Sequence, residues 1–381
     1  MVHALVLGGG FGGLAAAHEL RRRLDADDEV TLVAASDRFF VGFAKLWDLV
    51  GARTLERGAE PLAGLERHGI RFLKADVLGI DPDVCAVETT AGPLAGDGIV
   101  VALGSAHAPA HLALLGPRAH NLYDAKGLAG MRADLETLDE GRLVIAILGG
   151  PYLCPPAPFE AGLLLDEWLR TRGRRERVEL AVSTPQPLTL PVAGLDASRY
   201  LADRLAEREV DLLTGRQVEA IDHGRGTIHF AGADTIEWQL LFAVPAAVPQ
   251  PVLAASPLAG PSGWIEPDPR TFATGFERVY AVGDCTQVPT ATAQLPKAGV
   301  FARAGGIVAA QNLAADLRDG ERAEFDGYGY CFLELPGQRV AKVEGDFYAQ
   351  PRPAVSLTPP DEAAFRAKQR WEQELLSDWL R

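Results

Sequence analysis

An α/β fold is what this sequence predicts, and three observations carry the prediction. Short apolar runs rich in Val and Leu recur along the 381 residues. Segments of helical composition separate them, and the first run leads straight into a glycine series. Strands buried on both faces of a parallel sheet read as such continuous apolar runs, not as alternating ones. At about 150 residues per domain, the length allows two or three domains.

ALVL at 4–7 is the first strand, Gly12 to Leu24 a helix and VTLVA at 30–34 the second strand, which makes one βαβ unit. DVCAVET, around Cys85, reads as a further strand, and IVVAL at 99–103 as another. LVIAIL at 143–148, a helix from Phe159 to Arg170 and VELAV at 178–182 make a second βαβ unit, so two Rossmann-like halves are expected. LLFAV at 240–244 and VYAV at 279–282 add strands. Pro296 then opens a helix whose Val300, Ala304, Ile307 and Val308 keep helical spacing. The arginines at 170, 172, 174, 175 and 177 read as a solvated helix end, where positive charge suits the dipole. Pro- and Gly-rich connections near 104–117, 245–269 and 349–360 are the candidate boundaries.

Composition excludes several classes. Charged residues are 23% and the apolar group 48%, a globular balance rather than a disordered one. Lys plus Arg number 37 against 51 Asp plus Glu, and the net charge of −14 repels phosphate backbones, so nucleic acid is not an expected partner. Four cysteines are too few for a disulfide scaffold. No basic leader precedes the first strand and no run of 18 apolar residues occurs, so a cytoplasmic protein is expected. His107, His111 and His120 form no compact ligand set, and no metal is expected.

Gly8, Gly10 and Gly13 form G-x-G-x-x-G directly after a strand and at the start of a helix. Glycine lets the backbone approach a pyrophosphate while the helix N-terminus offers N–H groups to the anion. The acidic residue expected at the end of the second strand is missing: Ala34 stands there, and Asp37 is the nearest candidate for the ribose contact.

The corresponding loop of the second unit carries Gly149, Gly150, Pro151, Cys154, Pro155, Pro156 and Pro158. Prolines remove the donors a pyrophosphate needs, so NAD(P)H binding is disfavoured there, and a thiol sits instead at a strand's carboxyl end. This C-P-P-A-P-F-E segment resembles the sulfide:quinone oxidoreductases and the flavin subunit of flavocytochrome c sulfide dehydrogenase. VYAVGDCTQVPTATAQLPKAGVFARAGG at 279–306 and GYGYCFLELPGQRVAKVEGDFY at 327–348 resemble that family's second flavin segment and its distal-cysteine segment.

The resemblance implies noncovalent FAD and a redox pair, Cys154 and Cys331, that passes electrons from a small-molecule sulfur substrate to the flavin and on to a quinone at the membrane surface. It implies a catalytic Glu160 that shuttles protons, and a Lys297 that adds positive charge beside the flavin. Gly8, Gly10, Gly12, Gly13, Asp37, Gly104, Gly283, Asp284, Lys297 and Ala298 are the implied cofactor contacts. The domains it implies are 1–105 with 245–320 for FAD, 106–244 for the second Rossmann-like unit with the cysteine loop, and a C-terminal region 321–381. Some relatives carry a third cysteine between the first two motifs, and 104–124 has none. Cys85 reads as core and Cys285 as packing near the flavin.

Residues 361–381 read as an amphipathic helix with Trp371, Leu375 and Trp379 on one stripe. Such a stripe suits the headgroup boundary of a bilayer, which would make the protein peripheral on the inner face of the membrane. It serves equally for packing on the protein's own core or on a second subunit of a homo-oligomer. A type II NADH dehydrogenase-like enzyme and a flavin-binding redox sensor without turnover are the alternative functions.

Overall fold

The computed structural model describes residues 1–232 and 234–381. Strand β1 (His3–Leu7), helix α1 (Phe11–Arg23) and strand β2 (Glu29–Ala34) form the first βαβ unit, and β3 (Arg71–Lys74) and β4 (Gly98–Val101) extend the same parallel sheet. A second parallel sheet holds β5 (Ala119–Asn121), β6 (Gly141–Ile147), β7 (Val178–Ser183), β8 (Asp211–Leu213) and β9 (Leu240–Val244) in the order β5-β9-β6-β7-β8. Helix α2 (Ala157–Thr171) makes the crossover from β6 to β7. The chain then returns: β10 (Val279–Ala281) pairs with β4 and completes the first sheet as β10-β4-β1-β2-β3. The proline-rich connections expected as boundaries pair with each other, since Ser105–His107 runs antiparallel to Ala247–Pro249.

Helix α3 (Gly299–Arg318) lies against α1, and the two meet through glycine. A Cβ on Gly306 would sit 2.3 Å from the Gly12 carbonyl oxygen, and one on Gly13 only 1.8 Å from the Gly8 oxygen. The chain ends in an antiparallel sheet of β11 (Tyr328–Leu335), β12 (Arg339–Asp346) and β13 (Ala354–Asp361), followed by α4 (Glu362–Leu380).

Five expectations need correction. Helix α3 begins at Gly299, three residues after Pro296, because Ala298 is still extended (φ −144°) and serves as its cap. Cys85 sits in a left-handed turn (φ 49°) just before the strand Ala86–Thr89, although its side chain is core. The segment 349–360 is largely strand, and its Pro359 and Pro360 fall on the outer strand β13, where missing donors disrupt no inner ladder. The arginine run is not simply solvated: Arg170 and Arg175, joined by Arg208, converge on the fully buried Asp166, and Arg172 lies 3.9 Å from the Trp168 ring.

The fifth concerns the stripe on α4, which faces inward. Trp379, Leu375, Leu376 and Leu380 are buried, and the partly buried Trp371 stacks on Phe11 at 6.1 Å. Burial against the protein's own core removes this face as a membrane dock. Among the described residues, no helix is long and apolar enough to cross a membrane.

Candidate active site

The turn from β1 into α1 has the shape a pyrophosphate requires. Gly8 has φ +117°, and a Cβ there would collide with the Ala102 carbonyl oxygen at 2.1 Å. A Cβ on Gly10 would meet nothing within 4 Å, so open space faces this residue at the head of the helix. Among the described residues, no acidic side chain in the first turn and no side-chain cap occupies the free N–H groups of α1. Gly104, with φ +68° beyond the end of β4, likewise faces open space. These features fit a dinucleotide. Asp37 does not stand free at the end of β2: it is exposed and its carboxylate is held at 2.6 Å by Lys74, which keeps its pKa below the usual range.

At the carboxyl end of β10, Gly283 takes φ +76° and presents Asp284 to a cleft also lined by Pro296, Lys297 and Ala298. Burial raises the Asp284 carboxyl above its ordinary pKa. Lys297 is buried, and its ammonium is engaged within the protein: Nζ donates to the carbonyl oxygens of Asp284 (2.9 Å) and Thr286 (3.1 Å) and lies 3.5 Å from the centre of the Trp264 ring. Burial lowers its pKa to about 8. Its charge thus fixes the loop that carries Asp284.

Cys154 follows β6 on the proline-stiffened loop, in a left-handed conformation (φ 44°) that is costly for a residue with a Cβ. Its N–H donates to the Lys297 carbonyl at 2.8 Å, which ties this loop to the segment before α3. Tyr123 Oη donates to the carbonyls of Leu153 (2.6 Å) and Cys154 (3.4 Å) from the other side. Cys331 lies in β11, opposite Val343. It lines a cavity of about 370 Å³ whose walls include Pro155, Pro156, Phe301, Tyr330, Leu333 and Phe347.

Both cysteines are free thiols. Burial pushes the Cys154 pKa up to about 12, and Glu160 adds to the rise. Burial likewise raises Cys331 well above an ordinary thiol, with Cys154 the next contributor.

Beneath them is a buried ionic cluster. Glu160, in the first turn of α2, accepts the Glu334 N–H at 2.6 Å, and Lys368 Nζ lies 3.8 Å from it. Lys368 also bonds Glu334 Oε2 at 2.7 Å, and Trp47 Nε1 donates to the same oxygen at 2.8 Å. Burial raises Glu160 to about 7, although Lys368 pulls the other way. A second ammonium, Lys45, is lowered to about 8 by burial; it donates to the Tyr123 carbonyl at 2.8 Å.

Four elements therefore bring together Cys154, Glu160, Cys331 and the Lys297 backbone. Lys45, Tyr123, Trp264, Glu334 and Lys368 were missed from the sequence, and nothing in their spacing marks them. Cys285 packs with its Sγ 3.1 Å from the Val282 carbonyl. Of the histidines, His120 pairs with Asp134 at 2.7 Å and His111 accepts the Ala246 N–H at 3.1 Å, both structural contacts.

Two dinucleotide-type sheets, a glycine cradle and two partly buried cysteines define an FAD-dependent oxidoreductase. The chain belongs to the pyridine nucleotide-disulphide oxidoreductase family, which its residues 2–300 match. It is 25% identical over 364 residues to the mitochondrial sulfide:quinone oxidoreductase of Mus musculus, covering 91% of this chain and 78% of that one. It is 27% identical over 395 residues to the sulfide-quinone reductase of Aquifex aeolicus, covering 97% and 87%. The crystal structure of the Aquifex aeolicus sulfide:quinone oxidoreductase superposes with a TM-score of 0.87 at 22% identity, over 99% of this chain and 91% of that one. A NAD-dependent persulfide reductase from A. fulgidus shares the fold at a TM-score of 0.70 and 22% identity, over 90% and 64%.

Proposed function

We propose that this flavoenzyme oxidises sulfide, or a related low-molecular-weight persulfide or thiol, through a Cys154–Cys331 disulfide and delivers the electrons to a quinone. The observation that carries the reading is that Cys331 lines an apolar cavity while Cys154, partly buried like it, lies among Lys45, Glu160 and Lys368. In the oxidised pair, Cys331 is then the sulfur an incoming HS⁻ meets. A new S–S bond forms at Cys331, the bond to Cys154 breaks, and Cys154 leaves as a thiolate with the electron pair.

Glu160, with a pKa of about 7, is suited to take the proton of the bound sulfur. Transfer of the outer sulfur to a second thiolate frees Cys331, and closing the disulfide again yields two electrons. FAD, when bound, supplies the acceptor for that pair and passes it to the quinone. Asp284 and the free N–H groups of α1 and α3 are the residues that would hold it, and Lys297 keeps the Asp284 loop in place.

The quinone assignment is supported by the names of the relatives rather than by any feature of α4. Against NADH as the reductant, the 149–158 loop has four prolines, and the Cys154 N–H is already engaged by Lys297. Anaerobic titration of the yellow holoenzyme tests both points. Sulfide is expected to bleach the flavin at near-stoichiometric addition while NADH leaves it oxidised. Rapid bleaching by micromolar NADH with none by sulfide would overturn the proposal.

A further inference from the structure

A second cavity, of about 360 Å³, opens where α1, α3, the end of α4 and the turn around His68 meet. It is lined by Arg21, Arg22, Arg303, His18 and His68, with Glu19 the only carboxylate on its walls among the described residues. His18 lies seven residues into α1 from Phe11, roughly 10 Å along the axis at 1.5 Å per residue, so the cavity is separate from the glycine cradle.

Its polar atoms are only partly used by the protein. Glu19 is neutralised by Arg22 and Arg23 and also bonded by Gln311 at 2.9 Å. Arg21 donates to the carbonyl oxygens of Leu24, Asp25 and Asp28. His18 Nε2 bonds the Trp379 carbonyl at 3.0 Å, and its ring meets that of His68 edge-on at 4.9 Å. Arg303 Nε and His68 Nε2, by contrast, are buried with no hydrogen-bond partner among the described residues. Arg303 also forms no ion pair among them.

A buried donor without an acceptor is destabilising, more so when charged, and so cationic a cavity runs against the net charge of −14. An anion that accepts from the guanidinium and the imidazole relieves both. Phosphate suits an Arg fork, which it meets with two parallel hydrogen bonds.

We infer that this cavity binds a phosphate group, with Arg303 and His68 as its principal ligands. The source is either free phosphate or the headgroup of an anionic lipid. Calorimetric titration of the holoenzyme with inorganic phosphate at low ionic strength tests the site. Saturable binding is expected, at least tenfold weaker in Arg303→Gln and in His68→Phe and only partly kept in Arg303→Lys, which retains the charge but not the fork, with FAD content unchanged in all three.

Sedimentation with phosphatidylcholine vesicles, with and without phosphatidic acid, separates the sources. Retention that needs both phosphatidic acid and Arg303 names the lipid, and phosphate binding without such retention names the free ion. No saturable phosphate binding to the native protein, or binding that Arg303→Gln leaves intact, overturns the inference.

Discussion

At the scale of single residues, the site is governed by what burial does to charge. Of the two ammonium groups that act on the Cys154 thiol, Lys368 is engaged by Glu334 and Glu160, whereas Lys45, among the described residues, donates only to the Tyr123 carbonyl. Lys45→Met is therefore expected to raise the Cys154 pKa and slow its alkylation in reduced protein about tenfold for each pH unit of rise, with Lys45→Arg restoring most of the rate; mass spectrometry of iodoacetamide-treated protein reads it. Glu160 gives a pH prediction of definite sign. Its pKa rises from 4.5 to about 7 on folding, so between those values the folded state holds a proton the unfolded state has released, and stability falls as pH rises through that window. The full effect is on the order of 3 kcal/mol at 1.36 kcal/mol per unit. Glu160→Gln removes it, so the melting temperature of the variant relative to the native protein should climb between pH 5 and 7 and level off above; a difference independent of pH would contradict the assignment. Cys154 and Glu160 were legible because one short motif holds both. Lys45 and Lys368 were not, since a buried lysine and a surface lysine are identical in sequence and only packing separates them.

At the scale of elements, strands and helices followed the apolar runs closely, and what the pattern left open was the identity of the partner a face meets. The stripe on α4 was read correctly as amphipathic, yet periodicity does not say what covers it, and the structure puts Trp379 and Lys368 inside. Removing the Lys368 charge leaves Glu160 and Glu334 buried together without their cation, so Lys368→Met should cost about 3–5 kcal/mol, read as a shifted urea midpoint. An unshifted midpoint would mean the cluster contributes nothing to the attachment of α4. Where α1 meets α3, the added methyl of Gly306→Ala has no room beside the Gly12 carbonyl. Overpacking of this kind costs typically 1–3 kcal/mol, and because the same contact places both helix N-termini, FAD should be retained less firmly; chemical denaturation and the flavin-to-protein absorbance ratio report the two effects. The start of α3 was misplaced by three residues because Pro296 has the signature of a first helical residue but lies in the loop that anchors Cys154 through Lys297.

At the scale of the whole molecule, the chain leaves its first sheet, builds a second and returns through β10, and this path brings residues 154 and 331 to one site. The class of fold was legible because both sheets announce themselves as apolar runs, and the cradle because glycines follow a strand directly. The meeting of the cysteines was not derivable from spacing, since 177 positions separate them and only the resemblance suggested it. The central claim is that electrons enter through this pair, and anaerobic stopped-flow reduction of the flavin by sulfide tests it most directly, comparing native protein with Cys154→Ser, Cys331→Ser and Cys85→Ser. The account predicts that the first two variants keep their FAD and lose most sulfide-dependent bleaching, while Cys85→Ser, altered in the core away from the site, reacts at close to the native rate. Near-native bleaching in both Cys154→Ser and Cys331→Ser would contradict it.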